Sequence, residues 1–118
     1  MKKLNLKPLE EKIGVSFKDD KILKEAFTHR SYLNENPKWP LPHNERLEFL
    51  GDAVLELSVT VYLFAKFPRK PEGELTSIRA ALVNHIMLSR VATNLELEKY
   101  VQLSRGEAKD VGRARDAI

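Results

Sequence analysis

Four carboxylates fall on one side of a single helical stretch: Glu45, Glu48, Asp52 and Glu56, spaced i, i+3, i+7 and i+11. At helical pitch they lie within about 80° of arc, with no basic residue between them on that face. Like charges so placed repel, and a divalent cation relieves the repulsion. Clustered oxygen donors suit Mg²⁺ held together with a substrate phosphate, and the chemistry that fits is phosphodiester hydrolysis. The same acids also fit an ordinary solvated face that complements the positive end of the helix dipole. That account covers Glu45 and Glu48 better than Asp52, which lies two turns in, beside Gly51, where the face turns apolar. Phe49 points near the acids and away from the apolar stripe. It reads equally as a surface for a partner or as the seat of an overlying loop. His29 followed by Arg30 reads as a helix cap, so neither is placed in the catalytic set.

The helix that must carry these acids is the longest in the sequence. Asn44 reads as its cap, and the helix runs roughly from Glu45 to Lys66, ending before Pro68. Leu47, Leu50, Ala53, Val54, Leu57, Val61 and Phe64 share an arc of about 120°, read as a core-facing stripe. Past Glu56 the other side carries Leu55, Val59, Tyr62 and Leu63, so the C-terminal half is apolar nearly all round, the pattern of a central, buried helix.

Around it, Pro8 to Gly14 reads as a short helix, with proline in its first turn and glycine past its end. A second helix starts at Asp19 or Asp20 and turns Ile22, Leu23, Ala26 and Phe27 inward. Pro37, Pro40 and Pro42, with Asn34 and Asn36, mark Ser31 to His43 as an exposed loop that Trp39 pins down. After a Pro71-Glu72-Gly73 turn, periodicity resumes through Leu75, Ile78, Leu82, Ile86, Val91 and Leu95, as two helices meeting near Asn84. No segment alternates like a strand. Residues 104–115, with Gly106 and Gly112, read as a loop carrying Arg105, Lys109, Arg113 and Arg115, and Asp116-Ala117-Ile118 as a cap and first turn.

At 118 residues, 31% charged and 42% hydrophobic, the chain has the balance of one soluble domain. With no cysteine there is no disulfide and no thiolate metal site, so a metal must be held by oxygen or imidazole. Met1 to Lys7 holds no apolar run fit for export or a membrane span, which makes the cytoplasm the expected compartment. The net charge of +3 permits an RNA partner without demanding one. Residues 1–60 carry ten basic and ten acidic side chains and residues 61–118 carry ten and seven, so the basic excess lies in the second half.

The run Asn44-Glu45-Arg46-Leu47-Glu48-Phe49-Leu50-Gly51-Asp52-Ala53-Val54-Leu55 resembles the signature of the ribonuclease III family. Ala26 to Tyr32, Pro71-Glu72-Gly73 and Gly106-Glu107 are similar to further blocks of that family, so the resemblance covers almost the whole chain. It implies an all-α endonuclease domain over 1–118, homodimeric, a helical bundle around the helix at about 44–66. It also implies Mg²⁺-dependent hydrolysis of double-stranded RNA in rRNA and mRNA processing, with Mn²⁺ as a substitute and no small-molecule cofactor. By motif position Glu48 and Asp52 are metal ligands and catalytic residues, Glu45 and Glu72 are acidic residues of the cleft, and Phe49 inserts into a pocket of a partner subunit. In the family an Asp-x-x-Glu pair completing the metal site would lie just past Ile118, and a double-stranded-RNA-binding domain would follow. On that basis the domain is expected to be incomplete at its C-terminus, to leave Leu57 and Val61 uncovered, and to cut RNA slowly or not at all. The competing reading is a non-catalytic dimeric RNA-binding or ribosome-associated module of the same fold.

Overall fold

A computed structural model describes residues 4–108. In chain order it holds α1 (Lys7–Ile13), α2 (Asp20–Ala26), α3 (Arg30–Glu35), α4 (Glu45–Lys66), α5 (Glu72–Leu82) and α6 (His85–Asn94), then a 3-10 turn (Leu97–Lys99) and α7 (Arg105–Ala108). There is no strand among the described residues; one isolated parallel bridge joins Thr28 to Gln102.

Local chemistry accounts for most boundaries. Pro8 sits in the first turn of α1, and Gly14 ends that helix at φ 71°, a left-handed conformation that costs glycine nothing. Asp19 accepts from the Lys21 amide at 3.0 Å to start α2, and Asn84 accepts from the Met87 amide at 2.9 Å to start α6. The junction near Asn84 is therefore as the periodicity indicates. α6 closes through Glu96, which takes the left-handed conformation at φ 55° without being glycine.

Three segments differ from the sequence reading. Arg30–Glu35 is helical, where a loop was expected from Ser31 onward. The prolines forbid a helix only from Pro37 on, and six residues are too few for periodicity to register. This helix is held instead by its His29 cap and by buried Tyr32, whose ring meets Trp39 edge-on at 5.4 Å. Trp39 does pin the remaining loop, also donating from Nε1 to Thr28 Oγ1 at 3.3 Å. Pro71, Glu72 and Gly73 start a helix rather than making a turn: Pro71 is the N-cap of α5, and its carbonyl accepts from the Leu75 amide at 3.1 Å. Arg105 to Ala108 form one helical turn, with Ser104 Oγ accepting from the Glu107 amide. Lys109 to Arg115, read as loop, and Asp116 to Ile118, read as a cap and first turn, lie outside the described residues.

The core sits at one end of the molecule. Leu6, Leu9, Leu23 and Phe27 are buried together, with Leu4, Leu97, Tyr100 and Val101 packed against them, so α1 and α2 close on the segment after α6. α4 and α5 project from this core as a helical hairpin. The Cα radius of gyration is 16.3 Å, against about 13 Å for a compact domain of this length. The hairpin is tied by Arg79 of α5, which donates from Nη1 to Thr60 Oγ1 at 3.0 Å and lies 3.7 Å from Glu56 Oε1 on α4.

The stripe of α4 is not core-facing. Leu50, Val54, Leu57, Val61 and Phe64 are all more than half exposed, and the buried residue of α4 is Leu63, from the side read as secondary. Apolar patterning says that a face must be covered, not by what; here the intramolecular cover falls on the Leu55, Val59 and Leu63 side. α4 is thus the central element of the bundle without being enclosed by it. Leu57 and Val61 are exposed.

Candidate active site

The first half of α4 faces α6 across a groove of about 840 Å³. Glu45, Glu48, Phe49 and Asp52 line it from α4, and His85 and Leu88 from α6. A continuous helix over 45–66 is what sets the three acids in one row, and the Asn84 cap is what sets His85 at the start of the facing wall.

The four acids of the sequence face do not share one environment. Glu45 is taken up by Arg30 of α3, with Nε 3.6 Å from Oε1. His43 Nδ1 lies 4.0 Å from Glu45 Oε2 and 3.4 Å from the Glu45 amide, and a nitrogen that accepts from the amide cannot also donate to the carboxylate. Glu56 is taken up by Arg79 and does not line the groove. Glu48 and Asp52, one turn apart, have no ion-pair or hydrogen-bond partner for their carboxylates among the described residues. Like-charge repulsion between them is therefore left to be neutralised from outside the row.

Glu72 is not brought to this groove within one chain. Arg79 lies level with Glu56 and Thr60, and α5 runs back along α4, so Glu72 falls near the far end of α4, about 20 Å from Asp52 at 1.5 Å of rise per residue. Phe49 is 85% exposed on the groove rim, which excludes an overlying loop among the described residues. His29 is a cap, but at the N-terminus of α3 rather than at the end of the preceding helix: Nδ1 accepts from the Ser31 amide at 3.2 Å.

No group of three or more histidine, aspartate or glutamate side chains is gathered tightly enough for a metal among the described residues. Two exposed carboxylates still match how Mg²⁺ is bound, since that ion keeps several waters and takes one or two protein carboxylates together with substrate phosphate. The donors fit a hard cation and exclude a soft one.

Sequence reasoning missed His85 in the groove, and it missed Arg30 and Arg79 as the cations that remove Glu45 and Glu56 from the row. All three come from other elements, and nothing in the spacing along α4 points to them.

A family model described as ribonuclease-III-like matches residues 19–118. The chain is 51% identical over 115 residues to Ribonuclease 3 of Oceanobacillus iheyensis, covering 98% of this chain and 50% of that protein. It is 54% identical over 112 residues to Ribonuclease 3 of Bacillus cereus, covering 95% and 46%. The chain therefore spans about half the length of the curated relatives it matches. Among solved structures it is similar to the nuclease domain of ribonuclease III from Campylobacter jejuni, at a TM-score of 0.79 and 39% identity, covering 96% of this chain and 78% of that one. That structure concerns flexibility in a region involved in dimer formation of the Campylobacter domain. A second structure of the same domain gives a TM-score of 0.78, covering 96% and 76%.

Proposed function

The chain belongs to the ribonuclease III family, and from that premise we propose that it is the endonuclease domain of an enzyme that hydrolyses double-stranded RNA, with Mg²⁺ held by Glu48 and Asp52. The observation that carries the assignment is the pairing pattern on α4: arginines engage Glu45 and Glu56, leaving two adjacent carboxylates open to the groove. When bound, the cation supplies charge neutralisation at the phosphate and a more acidic bound water. Glu48 and Asp52 contribute oxygen donors fixed one helical turn apart on a continuous helix. Glu45, held by Arg30, stands at the groove rim beside them as a cleft acid. Glu72 belongs to a cleft acid of the same enzyme only if a second chain brings it near.

Homodimerisation follows from the surface of α4. Phe49, 85% exposed on the groove rim, is a large aromatic ring without cover in its own chain. A second copy, with Phe49 inserted into its pocket, covers the ring. Affinity for the duplex comes from phosphates and 2′-hydroxyls, with A-form shape selected over base sequence. The proposed setting is the cytoplasm, in rRNA and mRNA processing, with Mn²⁺ able to replace Mg²⁺. No helix among the described residues is long and apolar enough to cross a membrane.

Single-turnover incubation of end-labelled duplex RNA with excess protein and Mg²⁺ tests this reading. A site built on Glu48 and Asp52 gives slow cleavage or none, and any product carries staggered cuts with 5′-phosphates, is not formed from the separated strands, and is lost in Asp52→Asn. Cleavage that Asp52→Asn leaves intact, or cutting of the separated strands as fast as of the duplex, contradicts it.

A further inference from the structure

Thr28 and Asn44 are the two buried polar residues among those described, at 0% and 5% exposure, and they lie against one another. Asn44 has the residue type of an N-cap, but its side chain accepts no amide of α4. It donates instead across the fold, from Nδ2 to the Ala26 carbonyl at 2.9 Å, while its backbone amide donates to the Thr28 carbonyl at 2.9 Å. Thr28 is held in turn: Oγ1 donates to the Lys24 carbonyl at 2.8 Å and accepts from Trp39 Nε1. On its other side the 27–29 backbone is bracketed by Gln102, which donates to the Phe27 carbonyl at 2.7 Å and accepts from the His29 amide at 3.0 Å. Three separate stretches of chain, at Trp39, Asn44 and Gln102, thus converge on residues 26–29.

The consequence runs directly into the groove. The Asn44 carbonyl accepts from the Glu48 amide at 2.8 Å, so the first hydrogen-bonded turn of α4 hangs from a fixed atom. Arg30, which holds Glu45, starts α3 immediately after the same hub. α4 has little else at this end to fix it, since Glu45, Arg46, Glu48 and Phe49 are all exposed.

We propose that Asn44 is a positioning residue for the carboxylates of α4: its two donors, seated on Ala26 and on the Thr28 clamp, set where Glu48 and Asp52 stand in the groove. The metal consequence rests on reading those carboxylates as ligands; the clamp does not.

Asn44→Asp separates this from the alternatives. Aspartate caps a helix as well as asparagine and suits the positive helix end, so a capping role is preserved. It also adds negative charge next to the acids, which by charge alone tightens a cation. What it lacks is the Nδ2 donor. Hydrogen exchange by NMR on the whole chain should show the Glu48 amide exchanging about tenfold faster in Asn44→Asp, while the Leu88 amide of α6 keeps its rate. Mn²⁺ affinity, measured by paramagnetic broadening, should fall about tenfold in spite of the added charge. Thr28→Val, which removes the clamp hydroxyl at nearly constant shape, should reproduce both effects, and Thr28→Ser should restore them. Unchanged Glu48 exchange, an equal acceleration in every helix, or a tighter Mn²⁺ site in Asn44→Asp overturns the proposal. Failure of the parent chain to bind Mn²⁺, or binding indifferent to Asp52→Asn, sinks the metal reading instead, and the exchange data still decide the clamp.

Discussion

Truncating Phe49 to alanine isolates the proposed dimer contact, because the ring makes so little contact within its own chain. At 85% exposure it gains most of its burial only on association. Fully burying a phenylalanine contributes about 1.5–3 kcal/mol. An isologous interface inserts the ring twice, so Phe49→Ala should weaken the dimer by about 3–5 kcal/mol. At about 1.4 kcal/mol per decade this raises the dimer dissociation constant by roughly two to four powers of ten. Sedimentation equilibrium over a wide protein concentration range reads that constant. The melting temperature of dilute, monomeric protein should barely move, since an exposed ring supports nothing within the chain. A dimer constant unchanged by the truncation refutes the reasoning, as does a fall in monomer stability large enough to explain the dissociation.

Leu9 is 2% exposed at the centre of the α1 and α2 core, and Leu9→Ala should cost about 2–5 kcal/mol in urea unfolding; a loss below 1 kcal/mol would mean that this core is not what holds the chain. Glu72→Gln, remote from Asp52, should leave Mn²⁺ affinity of the monomer unchanged in a broadening titration, and a weakened site would place Glu72 closer than the fold does. The Glu96 carboxyl is held below its ordinary value by the hydrogen bond from Lys99 at 3.0 Å, and then by Lys12 at 3.4 Å. Because the folded value is depressed, the contribution is complete above the ordinary carboxylate range and disappears as pH falls through the lower folded value. Melts of Glu96→Gln and the parent should differ near neutral pH and converge in strong acid, and a gap that persists there would assign the effect to the left-handed backbone at Glu96.

The parts legible in the sequence are those fixed by local chemistry over many residues. α4 is readable to its ends because Pro68 stops it and twenty-two residues give periodicity room to register. The acid row is readable for the same reason. Which apolar side of α4 lies inside is not, since a stripe awaiting a partner and a stripe facing a core obey one rule. α3 stays hidden because its support is tertiary, a histidine cap and the Tyr32–Trp39 contact. The division of the row into two engaged and two open carboxylates depends on Arg30 and Arg79, fifteen and more residues away along the chain. Asn44 looks like a cap from its type and place, and only the fold turns its amide toward Ala26.

The central claim is that Glu48 and Asp52 together hold a divalent cation. Its most direct measurement is a Mn²⁺ titration of isotopically labelled protein, following paramagnetic broadening residue by residue. The expected result is broadening centred on Glu48 and Asp52, displaced by Mg²⁺ and lost in Asp52→Asn, with Glu72 largely spared. Broadening spread evenly over all exposed carboxylates, or a pattern that Asp52→Asn leaves intact, would contradict the account.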